Sequence, residues 1–182
     1  EHCCKNEAGR RHTDMRDIWS RALHRSAPIW RAQLSHPVVE AVAVVLGAWL
    51  LLSIAIWNGF PLIFYDTGAY ILQGLGRVFV AERSPVYSLF LSYTHGAQSL
   101  WFAAVVQALM TAFVLAETSR ALLHHIGIGL FILIILGLVV VTGLPWYVGQ
   151  IEPDCFTAIT VLCSYLLTFH ARRLGWVRGA LI

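Results

Sequence analysis

Asp66 lies in the run Phe60-Pro61-Leu62-Ile63-Phe64-Tyr65-Asp66-Thr67-Gly68-Ala69-Tyr70, just past a strongly hydrophobic stretch, and seventeen residues later comes Arg83-Ser84-Pro85-Val86-Tyr87. A carboxylate and a guanidinium at a membrane surface suit group transfer from a lipid-borne phosphate. The carboxylate takes the proton of an acceptor hydroxyl, and the guanidinium meets the phosphate through two hydrogen bonds beside the leaving group. Asp66 is the candidate base. Arg83 and Arg77 are the candidates for the phosphate. A second polar segment, Pro145-Trp146-Tyr147-Val148-Gly149-Gln150-Ile151-Glu152-Pro153-Asp154, supplies Glu152 and Asp154, which would orient the acceptor or hold a divalent cation together with Asp66. Plainer roles compete: Asp66 and Asp154 both suit helix N-caps, and Arg83 could pair with Glu82 or extend to lipid headgroups.

What must position these groups is set by composition. Hydrophobic residues make up 58% of the chain, charged residues 13%, and the mean hydropathy is +0.67. A chain of this size cannot bury so much apolar surface in its own core, so lipid must cover part of it. The expected fold is all-α: a multi-pass transmembrane helical bundle with four spans, at about 38–57, 100–116, 126–144 and 155–169. Residues 1–36 form a basic cytoplasmic segment, with an interfacial helix over 18–34 whose apolar side includes Trp19, Leu23 and Trp30. Residues 37–170 form the transmembrane domain, and 171–182 a basic cytoplasmic tail.

Eleven of the thirteen Lys and Arg fall on one side of this arrangement, leaving only Arg77 and Arg83 on the other. Both termini are therefore expected in the cytoplasm, with the connections 58–99 and 145–154 facing outward, as in a bacterial inner membrane. Trp57, Trp101 and Trp146 fall at the outer ends of spans as an interfacial belt. Glu40, in the first turn of the first span, should face headgroups and complement the helix dipole. Cys155 and Cys163 read as buried small hydrophobes. No spacing supports a metal site, and nothing suggests nucleic acid as a partner. The chain begins at Glu1 while Met15 would make a natural start, and it stops at Ile182 soon after a basic cluster; a partial reading frame is expected.

The connection 58–99 is too long and too apolar for a plain linker. Thr67–Val80 and a segment opening at Ser84-Pro85 predict two short amphipathic helices on the outer surface. This order of a span, an acidic residue, a helix and a basic-x-Pro-x-Tyr segment resembles the start of the membrane-embedded C-type glycosyltransferases. These use polyisoprenyl-phosphate sugars and include the protein mannosyltransferases and the lipid A aminoarabinose transferases. The resemblance covers roughly residues 38–170. It implies sugar transfer on the outer side, with Asp66 as the family's acidic residue and Arg83, Pro85 and Tyr87 as its basic-Pro-Tyr segment. Tyr87 joins the substrate-binding set on that basis. Membrane lipid and a polyisoprenyl-phosphate sugar donor are the partners it implies. Two departures stand: Thr67 replaces a second acidic residue, and Ser84 a second proline. The alternatives are a non-enzymatic membrane subunit, a transporter fragment or an inactive truncated product. The span interiors hold only weak polar groups such as Ser53, Gln107 and Thr111, which disfavours transport.

Overall fold

A computed structural model describes residues 34, 36–76, 81, 83–95, 99–123, 126–171, 174 and 179–180. Arg77, Glu82, the expected interfacial helix over 18–34 apart from Leu34, and the C-terminal basic cluster at 172, 173 and 178 lie outside the described residues, as does the end of the first expected surface helix. Among the described residues 81% are helical and no strand forms.

The helices are α1 (Pro37–Leu51), α2 (Ser53–Asn58), α3 (Thr67–Gly76), α4 (Pro85–His95), α5 (Leu100–Leu122), α6 (Ile128–Val141), α7 (Leu144–Gly149) and α8 (Asp154–Phe169). Only α5 among them is long and apolar enough to cross a membrane unaided; α1, α6 and α8 are shorter apolar helices. At 14 residues α6 spans roughly 21 Å. It ends at Val141, three residues before the expected boundary, because Thr142 turns extended at φ −120° and ψ 166°. The first apolar stretch is divided only at Leu52. There the backbone ladder persists, since Leu52 N–H donates to Ala48 O at 3.0 Å and Ile56 N–H donates to Leu52 O at 2.9 Å. The rod then stops at Gly59, whose φ of +76° closes the helix in the left-handed region.

The packing places small side chains inside and large ones outside. Ala104, Ala108, Ala112 and Ala116 recur every fourth residue along α5, and all are fully buried. They let α1 approach closely through Ala43, Gly47 and Ala48. Phe131 of α6 fills the space above Gly47, where a Cβ would lie 3.4 Å from its ring. Large apolar residues point away from this seam: Trp49, Phe102, Met110, Leu133, Val140, Val141, Val161 and Phe169 are all exposed. Cys155 and Cys163 are buried free thiols, as expected of small apolar residues.

One end of the bundle is held by ions. Arg120 at the end of α5 donates to both oxygens of Glu40 at 2.6 and 3.0 Å, to Glu117, and to Leu34 O at 3.3 Å. Glu40 is thus buried and paired, not turned to headgroups as its first-turn position suggested. Leu34 N–H also donates to Ile126 O at 3.0 Å, which joins the segment before α1 to the one before α6.

Candidate functional site

The opposite end is built by backbone contacts between two distant segments. Leu62 N–H donates to Gly149 O and Ile151 N–H donates to Leu62 O, both at 2.9 Å, forming an isolated parallel bridge. Thr67, fully buried, reinforces it: its Oγ1 accepts from Phe64 N–H at 2.9 Å and donates to Ile151 O at 3.0 Å. A carboxylate at this position would face that carbonyl with no proton to offer.

Gln107, in the middle of α5 and fully buried, supports the second segment from below. Its Nε2 contacts Gln150 O at 2.9 Å and Tyr147 O and Val148 O at 3.2 Å, and its Oε1 accepts from Tyr87 OH at 3.4 Å. The amide has two hydrogens for three carbonyls, so one bond is shared. These are acceptors that the short helix α7 leaves unsatisfied at its C-terminus. Sequence reasoning passed over Gln107 as a weak polar group. The signal that could have found it is a lone amide in an apolar helix, which must be bonded to something.

The starts of α3 and α4 lie side by side. Tyr70 meets Tyr87 edge to face at 5.1 Å, and Gly74 lies so close to α4 that a Cβ would stand 2.4 Å from Ser88 O. This register brings Arg83 onto Asp66, Nη2 to Oδ1 at 2.5 Å, with both side chains about a quarter exposed. Asp66 also opens α3 through its backbone, its carbonyl accepting from Tyr70 N–H at 3.3 Å. Its side chain pairs with Arg83.

Glu152 is buried at 8% exposure, and Gln150 Nε2 donates to its Oε2 at 3.2 Å. Burial pushes its carboxyl up from the ordinary value; the charges of Asp154 and Asp66 add to this, and Arg83 opposes it. Tyr70 is raised by burial and feels Arg83, Asp66, Glu152 and Asp154 together, which puts all four in one neighbourhood. Asp154 is exposed in the first turn of α8 with no side-chain cap bond. Glu152 and Asp154 open onto a cleft of about 450 Å³ walled by Phe64, Trp146 and Tyr147.

Four of the six residues singled out from sequence therefore converge: Asp66, Arg83, Glu152 and Asp154. Tyr87 faces inward. Its ring is 4% exposed among Tyr70, Phe90 and Phe156, and its hydroxyl is bonded to Gln107, so it presents nothing to a ligand in this arrangement. Arg77 lies outside the described residues. Among the described residues no group of three His, Cys, Asp or Glu could hold a metal ion, so Asp66, Glu152 and Asp154 do not assemble the divalent-cation site considered for them. Comparison with protein families, curated proteins and solved structures finds no match to this chain.

Proposed function

We propose that the chain is a multi-pass membrane protein whose outer end binds a polyisoprenyl-phosphate sugar and serves its transfer to an acceptor hydroxyl. The observation that carries this reading is the Asp66–Arg83 pair, brought together from seventeen residues apart beside Glu152 and an open cleft.

The membrane part rests on the inverted packing. Alanines line the interior while Trp49, Leu133, Val140 and Phe169 cover the exterior. In water such a surface is costly, and in lipid it is ordinary, with small residues forming the helix seams. Four crossings also account for the two ends. The Leu62–Ile151 bridge joins the two connections assigned outside, and Leu34–Ile126 with Glu40–Arg120 joins the segments assigned inside. The short α6 and α8 are accommodated by local bilayer thinning.

In this reading the donor phosphate competes with Asp66 for the Arg83 guanidinium. The acceptor oxygen bonds to the anomeric carbon as the bond from that carbon to the phosphate oxygen breaks. The polyisoprenyl phosphate leaves with the electron pair beside Arg83, and the acceptor proton passes to Asp66. Binding of undecaprenyl phosphate to the protein in lipid nanodiscs tests this. The phosphate should bind and undecaprenol should not, and Arg83→Gln should weaken binding about tenfold or more. Equal binding of the alcohol would sink the proposal. Because Asp66 and Arg83 also satisfy each other, a non-enzymatic subunit with a structural pin is the second reading; it predicts that neutralising both leaves the protein's function intact.

A further inference from the structure

The charged groups of the site stand on two separate pieces of chain. Asp66 and Arg83 flank the starts of α3 and α4 and hold each other, while Glu152 and Asp154 lie where α7 passes into α8. The spacing of Asp66 from Glu152 therefore depends on what ties the pieces together. Backbone bonds do so at Leu62, upstream of Asp66. Gln107 supports the second piece from α5, through the carbonyls of Tyr147, Val148 and Gln150, and reaches the first through Tyr87. Thr67 acts at the acids themselves. Its hydroxyl accepts from Phe64 N–H at 2.9 Å and donates to Ile151 O at 3.0 Å. That second bond runs from the residue after Asp66 to the residue before Glu152. Thr67 and Ile151 are both fully buried, so the carbonyl needs this donor where water has no access. Among the described residues it is the one side-chain hydrogen bond made directly between the two pieces.

We infer that Thr67 is a positioning residue, whose hydroxyl sets Asp66 against Glu152 so that the two carboxylates respond to each other's charge. A valine keeps the shape and loses both bonds; a serine keeps the bonds. The electrostatics accord with this. The Glu152 carboxyl is raised chiefly by burial, then by Asp154 and Asp66, and Arg83 opposes the shift. Tyr70 of α3 and Tyr87 of α4 lie within reach of the Glu152 charge as well. Asp154 is on Glu152's own piece, so its influence survives a movement between the pieces, whereas that of Asp66 and Arg83 does not. The bearing on transfer rests on the proposed function, in which Asp66 takes the acceptor proton and Glu152 orients the acceptor; such a division needs a fixed spacing. The coupling itself needs neither donor nor acceptor, so it can fail while phosphate binding at Arg83 holds, and the reverse.

The test is an NMR titration of the Glu152 carboxyl, on the full chain in nanodiscs with isotope-labelled glutamate, its signal assigned by its loss in Glu152→Gln. In the otherwise unchanged protein, Asp66→Asn should move the Glu152 midpoint downward, because it removes a negative charge and frees Arg83. With Thr67→Val most of that shift should vanish; with Thr67→Ser it should remain. Thr67→Ala removes the hydroxyl without crowding, and takes the place of the valine variant should that one not fold. A full Asp66→Asn shift in a variant without the hydroxyl, or no shift in the wild type, would overturn the inference. Collapse of the whole bundle in both hydroxyl-free variants would overturn it too, since Thr67 would then belong to the fold and not to the site. Undecaprenyl phosphate binding on the same samples reads the proposed function separately: its absence from the wild type sinks that reading and leaves the role of Thr67 standing.

Discussion

The two ends of the bundle each hold an arginine among carboxylates, yet they are built in opposite ways. At the end that the proposed topology places inside, Arg120 is 14% exposed and grips Glu40, Glu117 and a backbone carbonyl, with both carboxylates nearly sealed. At the end that the proposed topology places outside, Arg83 pairs among the described residues with Asp66, both a quarter open, while Glu152 and Asp154 face a cleft. The inner cluster joins α1 to α5 and is closed to ligands. The outer cluster has negative charge in excess of its described cation and has room beside it. A closed pair serves the fold, whereas an open and incompletely neutralised one can serve a ligand.

That contrast is broken first by removing the arginines. Arg120→Gln leaves buried carboxylates without their cation, a change that costs roughly 3–5 kcal/mol. It should abolish a cooperative unfolding transition in mild detergent. Asp66→Asn at the outer end removes a partly exposed pair worth at most about 1 kcal/mol, and should leave that transition nearly in place. Equal losses at the two ends would mean the outer pair is structural too.

An effect between these two is expected at Gln107→Leu. It removes the donor shared by three carbonyls and the acceptor for Tyr87, costing about 1–3 kcal/mol. Limited proteolysis should then cut within 142–153 before any other described segment, because that segment loses its support. Gln107→Leu does not separate transport from transferase chemistry. With Gln107 holding the floor of the outer site, loss of function would follow in either case, so the change discriminates nothing.

Much of the helix layout was legible because apolar runs, a stop at Gly59 and a start at Pro85 act locally. The convergence of Asp66 with Arg83 was suggested by segment order alone. The inner cluster was not readable. Glu40 and Arg120 lie eighty residues apart, and each alone has an ordinary explanation, as a first-turn acid and as a basic loop residue. Tyr87 was misjudged for a related reason: a tyrosine in an amphipathic helix has the same spacing whether its hydroxyl meets a ligand or, as here, Gln107. Thr67 carried no signal at all, because its bond to Ile151 O depends on a loop eighty-four residues away.

The finest distinction between the ends is one of pH, and it rests on Glu152. Its folded carboxyl is raised above the ordinary value of 4.5, chiefly by burial. A group of this kind favours the folded state when protonated. Its contribution is fully present below the unfolded value and is lost as pH rises through the folded one. At pH 8 the ionised Glu152 is therefore a burden on the fold, and Glu152→Gln should raise the melting temperature slightly there. The advantage should shrink as the pH is lowered toward 4, where wild type and variant converge. A variant less stable than wild type at pH 8 would show that the ionised Glu152 is already charge-compensated, and this end would then be as closed as the one around Arg120.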